Sequence, residues 1–419
     1  MSAAAERRRD EGLSPAELEQ LQLSKLNDLL AVLRRDNPFY ASKLRGAPQR
    51  LESLDQLDEI PLTSKDELAK ADAASLRTFP PADYVRFHQT SGTHGRPLPI
   101  LDTAADWQWW IDCWQFVLDA AGVTADDRAM LAFSFGPFIG FWSAHDALVA
   151  RGALAIPSGG MSTLSRLELL ERTAATVLCC TPSYALRLAE VAAEQKISLR
   201  HFAVRTIIVA GEPGGSQPAV RQRIEEAWDA KVIDHAGATE VGAWGYADVG
   251  RRGLHVIESE FVAEFRSVET GAPAAEGELA HLILTPLGRR GMPVLRYRTG
   301  DIVRPTWFQE GPNRFVLLAG GVISRADDML IIRGVNVFPS AVDQILRSFP
   351  EVVEYRATAC KRGTMDELVV EVEDHLAAPR RIAEEFELRL GLNVEVQVVE
   401  PKSLPRFEGK GRRFIDART

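Results

Sequence analysis

The chain has 419 residues, 46% of them hydrophobic and 26% charged, and carries a formal net charge of −9. That length favours two domains of unequal size over a single core, and the composition is that of an ordinary globular protein. The negative balance opposes a nucleic-acid partner, no apolar run is long enough to span a bilayer, and Cys113, Cys179, Cys180 and Cys360 form no C-x-x-C pair or zinc-spaced set.

At the start, Arg7-Arg8-Arg9 runs directly into Asp10 and Glu11 with no apolar segment behind it. This excludes a secretory signal and reads as a solvated tail. Ser14-Pro15-Ala16-Glu17 has the spacing of a capping box with proline at the first helical position, and Leu18, Leu26, Leu29 and Leu33 follow at helical spacing. A second helix is expected after Ile60-Pro61-Leu62-Thr63, with Ser64 and Glu67 again spaced as a capping box.

From Ala129 the pattern alternates. Strands are expected at Ala129–Phe135, Ala153–Ile156, Thr176–Cys180, Thr206–Ala210 and Lys231–Asp234. Helices are expected at Gly140–Ala150, Thr163–Ala174, Ser183–Ala193 and Pro218–Trp228. This is the signature of a parallel sheet covered by helices, whose ligands sit beyond the carboxyl ends of the strands. The Cys179-Cys180 thiols fall in a buried strand and suit a reducing compartment, so a cytoplasmic protein is expected. Residues 255–305 turn β-rich, and beyond Arg325 an α+β unit follows as strand, helix, two strands, helix, strand: Met329–Arg333, Pro339–Arg347, Val352–Ala359, Glu367–Val372, Arg380–Leu390 and Val394–Val399. The expected fold class is therefore α/β. A large N-terminal domain (1–325) has parallel sheet, helices and a β-rich subdomain, and a small mobile α+β C-terminal domain spans 326–419.

Five short elements carry chemistry. In Thr90-Ser91-Gly92-Thr93-His94-Gly95-Arg96-Pro97 the hydroxyls, the two glycines and a fixed positive charge suit a loop that wraps phosphate oxygens, although a surface turn has the same composition. It is not the G-x-x-x-x-G-K-[ST] loop. Gly237-Ala238-Thr239-Glu240 follows a strand, and a carboxylate there suits Mg²⁺ beside a triphosphate, or else an exposed loop. Asp301 follows Thr299-Gly300 in an expected tight turn, where its oxygens can accept from both hydroxyls of a ribose; an ordinary turn aspartate is the alternative. Ser324-Arg325-Ala326-Asp327-Asp328 comes next. Lys410, between Gly409 and Gly411, is a long cation on a glycine hinge, or part of a frayed basic terminus.

Together these elements resemble the adenylate-forming superfamily (acyl-CoA synthetases, peptide-synthetase adenylation domains, luciferases), and within it the phenylacetate–CoA ligase family. The resemblance is carried by His88 to Gly95, Ile156-Pro157-Ser158-Gly159-Gly160, Thr181-Pro182-Ser183-Tyr184 and Gly211-Glu212-Pro213. It continues through Arg296 to Asp301, Asp327 to Ser340 and Glu408-Gly409-Lys410. It implies ATP-dependent activation of a carboxylic acid as acyl-adenylate, then thioester formation with coenzyme A. Transfer to a carrier-protein phosphopantetheine or to an amine is the alternative, and a homodimer stays open. A non-catalytic nucleotide- or acyl-binding relative would be expected to lack Lys410 or Glu240, and both are present.

By the same resemblance, Thr90, Ser91, Gly92, Thr93, Gly95 and Arg96 would hold phosphates. Thr239 and Glu240 would be catalytic, with Glu240 on Mg²⁺. Gly211, Glu212 and Pro213 would border adenine. Asp301 and Arg325 would reach ribose or phosphate, Lys410 would stabilise the first transition state, and Asp327 would be the hinge. Two departures stand out: Arg96 replaces the usual lysine, and Ala236 replaces an aromatic that stacks on adenine. The acid pocket is expected among Phe135, Phe138, Trp142, Gly237 and Trp244, which favours an aromatic or arylalkyl acid.

Overall fold

The computed structural model describes residues 3–418 apart from 91–96, 134, 249, 308–310, 329, 334, 363–364 and 407–412. Its spine is a nine-stranded mixed sheet. Five strands are parallel, in the spatial order Leu154–Pro157, Arg128–Leu131, Val177–Cys180, Thr206–Val209 and Lys231–Ala238. Val177–Cys180 and Thr206–Val209 are buried at every position, because helices cover both faces and no polar–apolar alternation is needed. The sheet order reverses about Arg128–Leu131, since the following strand lies on one side and Val177–Cys180 on the other. That switch point opens the crevice where ligands of such sheets bind.

Two differences from the sequence-based expectation bear on the site. The strand expected to run to Phe135 stops at Leu131, so Phe133 and Phe135 lie beyond the sheet edge. The strand expected to end at Asp234 continues to Ala238 and turns back against Gly242–Ala247. Ala236 and Gly237 therefore sit in an antiparallel hairpin, and that hairpin converts the parallel sheet into a mixed one. A separate four-stranded antiparallel sheet holds Phe261–Ser267, Ala280–Pro286, Tyr297–Val303 and Ser324–Arg325. The C-terminal unit is α+β as expected. Val352–Arg362 and Met365–Asp374 form the centre of a four-stranded sheet carrying the helices Pro339–Arg347 and Pro379–Leu390. Phe414–Asp416 adds an unanticipated edge strand, and Leu330–Ile332 pairs with Val335–Val337 in its own small ribbon.

The first long helix, Pro15–Asp36, begins where its capping box dictates: Ser14 Oγ accepts from Glu17 N and Glu17 returns a carboxylate to Ser14 N. Pro38 cannot continue it, and Asn37 caps the next helix through Tyr40 N. Leu26, Leu29, Leu30 and Leu33 form the buried stripe, packed with Leu287 and Leu295. The arginine run is not a free tail: residues Ala3–Glu11 are helical, Arg7 pairs with Asp119 at 2.6 Å, and Tyr246 donates to Glu11 at 2.7 Å. The helix Ala104–Ala120 is also unanticipated. Trp107, Trp109, Trp110 and Trp114 are all buried, so it lacks the one-sided apolar stripe by which a surface helix is recognised. Among the described residues no helix is long and apolar enough to cross a membrane.

Glu258 is half-buried, accepts only from Val316 N among the described residues, and is pushed up to about 7 by burial. With the folded value above the unfolded one, its contribution is most favourable at low pH and is lost as pH rises through about 7. Glu258→Gln keeps an acceptor for Val316 N without the charge. It is expected to raise stability by about 2–3 kcal/mol at pH 8 and leave it nearly unchanged at pH 4, read by denaturant titration at both pH values.

Candidate active site

A cleft of about 1680 Å³ opens between the carboxyl edge of the sheet and the C-terminal unit. Thr90, Gly211 to Pro213, Ala236, Gly237, Thr239, Glu240, Trp244, Asp301 and Arg325 all line it. Asp343, Arg347, Tyr355 and Arg413 form the opposite wall from the C-terminal side. Arg223 donates to the Val352 carbonyl at 3.2 Å, and Arg406 and Lys402 pair with Glu190 and Glu194, so the two parts meet along the helices 182–194 and 218–228.

Tyr84–Gln89 and Pro99–Thr103 pair as antiparallel strands on either side of the glycine-rich segment. Thr90 closes the strand pair: its N–H donates to Leu98 O at 3.1 Å, and its hydroxyl accepts from Leu98 N at 3.0 Å. Ser91, Gly92, Thr93, Gly95 and Arg96 lie outside the described residues. The foot of this strand pair holds a buried ion pair, Asp102 with Arg289 at 2.6 Å, both fully inaccessible. Burial opposes ionisation of Asp102, but the Arg289 guanidinium beside it, with His88, holds its carboxyl below the usual range. Arg289 also donates to the carbonyls of Thr239 and Glu240, at 2.9 Å each. One guanidinium thus joins the strand Pro99–Thr103 to the Thr239-Glu240 turn.

Glu240 is buried in its turn with its carboxylate at the cleft. Tyr297 donates to Oε1 at 3.1 Å and Lys65 Nζ lies 3.2 Å from the same oxygen. Lys65 reaches it because Thr63 pairs with the strand at Tyr297, exchanging backbone hydrogen bonds with Arg296 and Arg298. Burial, then the neighbouring Glu240 charge, raises the Tyr297 phenol, so it stays a donor. No hydrogen bond among the described residues reaches Glu240 Oε2. No cluster of three His, Cys, Asp or Glu able to hold a metal occurs among the described residues. The site therefore suits Mg²⁺ only in the manner usual for that ion, through one carboxylate plus phosphate oxygens and water.

Asp301 is not in a tight turn. It lies inside the strand Tyr297–Val303, where Gly300 (φ +79°) makes a bulge against Ala280–Pro286. A Cβ at Gly300 would come within 2.6 Å of Arg325, so glycine lets that guanidinium lie across the bulge and pair with Asp301 at 2.7 Å. In the loop after Thr206–Val209, Glu212 is not a free carboxylate. It accepts from Ser183 N at 2.7 Å, at the start of the helix Pro182–Glu194, and burial raises its carboxyl. Next to it, Ser216 donates to Asp234, whose carboxyl burial pushes up to about 6. A Cβ at Gly215 would overlap Asp234 Oδ1 at 2.5 Å, which explains the glycine there.

The expected acid-pocket residues divide. Gly237 and Trp244 line the cleft, but Phe135, Phe138 and Trp142 do not. Phe135 and Trp142 instead stack edge-on, 5.1 Å apart, in a cluster with Phe133, Phe141 and His145 beyond Leu131. Phe138 is 39% exposed. Asp327 belongs to the turn 326–328 that leads into the C-terminal unit, and Lys410 lies outside the described residues. Lys65, Asp234, His235 and Arg289 are cleft or support residues that the motif reading misses. Lys65 stood in a segment read only as a helix start, and Arg289 in a stretch read only as β-rich; neither carries a local signal.

Residues 24–275 match the AMP-binding enzyme family and 334–418 the AMP-binding enzyme C-terminal domain. The chain belongs to the AMP-binding enzyme family. It is 31% identical to a phenylacetate-coenzyme A ligase of Thermus thermophilus, covering 97% of this chain and 98% of that one, and 30% identical to one of Escherichia coli, covering 97% of each. A crystal structure of 2-hydroxyisobutyryl-CoA ligase in its postadenylation state superposes with a TM-score of 0.91 at 27% identity, over 98% of this chain and 92% of that one. The same ligase in its thioesterification state gives 0.74 at 28% identity, with the same coverage. With this two-domain architecture, the protein is an AMP-forming acid–thiol ligase, with ATP and coenzyme A as co-substrates.

Proposed function

We propose that this ligase activates an aromatic or arylalkyl carboxylic acid as its adenylate and passes the acyl group to coenzyme A. The observation that carries the reading is the single cleft lined by Thr90, Glu240, Asp301, Arg325 and Ala236 together. In this reading Thr90 to Arg96 hold phosphate oxygens, Glu240 holds Mg²⁺ beside Thr239, Asp301 and Arg325 orient the ribose, and Gly211 to Pro213 border the adenine. Bound Mg·ATP supplies the electrophilic α-phosphate. The chain's own part is to align the acid with it and to stabilise charge, Lys410 being the cation nearest in role to the developing negative charge. Ala236 leaves open the space that a ring would fill.

The C-terminal unit, from residue 326 onward, is proposed to turn about Asp327 between the two half-reactions. The arrangement seen here superposes better on the postadenylation state of the neighbouring ligase than on its thioesterification state, which supports this reading.

For the acid, the phenylacetate-coenzyme A ligases among the relatives favour an aryl group. A second reading, a short branched acid, is favoured by the fact that Phe135, Phe138 and Trp142 do not line the cleft. Acid-dependent pyrophosphate release across benzoates, arylacetates, cinnamates and short branched or straight acids separates the two. An aryl acid is expected to exceed the best aliphatic acid by at least about tenfold in kcat/KM, with the activity falling in Lys410→Ala. Preference for a short acid overturns the aryl reading. Absence of pyrophosphate release with every acid, together with no ATP binding by calorimetry, overturns the whole.

A further inference from the structure

One wall of the cleft carries a histidine whose protonation is settled by its neighbours. His235 Nδ1 lies 2.7 Å from the carbonyl oxygen of Gly245. A carbonyl only accepts, so Nδ1 bears the proton and Nε2 presents a lone pair. The ring leans on Trp114 with centroids 4.4 Å apart, and Gly245 and Trp114 hold it in one orientation. Burial pushes the imidazole down to about 4, so it stays neutral near neutral pH.

His235 lines the same cleft as Gly237 and Trp244. A Cβ at Gly237 would lie 3.5 Å from Nε2, so the absence of a side chain at Gly237 leaves that nitrogen uncovered. No hydrogen bond among the described residues reaches Nε2, and it is not one of the sealed, unpartnered polar atoms of the interior such as His88 Nδ1 or Asp102 Oδ2. It is an acceptor open to the cleft. A carboxylate cannot satisfy it, because carboxylate oxygens also only accept; an O–H donor on the acyl part can.

We propose that His235 is a specificity-determining residue, and that the acid this enzyme prefers carries a hydroxyl group that donates to Nε2. The inference rests on the proposed acid site and names the class of acid it takes. Where a buried acceptor is built to meet a hydroxyl, the analogue without it leaves that acceptor unpaired and is rejected far more strongly than one differing by a methylene.

The test is pyrophosphate release with matched pairs: benzoate against 3- and 4-hydroxybenzoate, phenylacetate against 3- and 4-hydroxyphenylacetate and mandelate, and isobutyrate against 2-hydroxyisobutyrate. The hydroxylated member of at least one pair is expected to exceed its parent by about tenfold or more in kcat/KM. In His235→Leu that ratio is expected to fall to near one, and in His235→Gln, which keeps an acceptor, to an intermediate value. Parents turned over as well as their hydroxylated partners by the wild type overturn this inference and leave acid activation standing. A preference that survives in His235→Leu overturns it as well. Should His235→Leu not fold, judged by its thermal melt, the wild-type ratios and His235→Gln decide alone. Absence of pyrophosphate release with every acid overturns both the acid site and the inference built on it.

Discussion

Glu240→Gln is expected to lower kcat for acid-dependent pyrophosphate release by about 10²–10³-fold. The substitution is nearly isosteric. It keeps an oxygen for the Tyr297 hydroxyl, which now donates at 3.1 Å, so the turn should hold its shape. What it removes is the charge that faces both Lys65, 3.2 Å away, and the cleft. A neutral amide oxygen is a poor ligand for a hard divalent cation. The loss should be smaller at high Mg²⁺ concentration, because the phosphates and water still offer ligands. The measurement is initial pyrophosphate release against Mg²⁺ for wild type and variant, with thermal melts to establish that both are folded. Wild-type rates in the variant at ordinary Mg²⁺ would remove Glu240 from the metal site.

The second large effect is on stability. Arg289→Ala is expected to cost about 3–5 kcal/mol, because it leaves Asp102 ionised in a fully inaccessible position and strips the Thr239 and Glu240 carbonyls of their donor. Replacing both partners is a different experiment. Arg289→Met with Asp102→Leu removes the stranded charge and should recover much of the stability, since a buried pair is often no better than a packed apolar one. Recovery of activity should lag behind, because the guanidinium also ties the Glu240 turn to the strand Pro99–Thr103. Denaturant melts read the first effect and the KM for ATP the second. An Arg289→Ala chain as stable as wild type would show that Asp102 finds another partner or a proton.

Parts of this architecture are legible in the residues. The helices Pro218–Trp228 and Pro339–Arg347 occur with the expected bounds. In each, proline at the first helical position sets the start locally, because its fixed φ suits a helix and its missing N–H costs nothing there. The strands at 177–180 and 206–209, buried at every position, are equally plain. The misreadings have physical causes too. The helix 104–120 has tryptophans on several sides, and its signal was instead the box in which Thr103 caps Asp106. Asp301 follows Thr-Gly, which marks a turn in isolation; the pairing of Tyr297–Val303 with its neighbours makes it a bulge. Arg7 of the first helix looked solvated because Asp119, its anchor, is more than a hundred residues away.

What the sequence by itself determined is the class of enzyme and the order of its motifs. Those motifs act through short stretches of backbone and hydroxyls whose geometry is local, so they can be read without a fold. Only the tertiary structure decided who meets whom. Lys65 reaches Glu240 through the pairing of Thr63 with Tyr297, Arg289 bridges Asp102 and the Glu240 turn, and Gly245 orients His235 toward the cleft. Such contacts join residues that packing and register bring together, and a charge or a ring nitrogen has no sequence signal for the partner that will set its state.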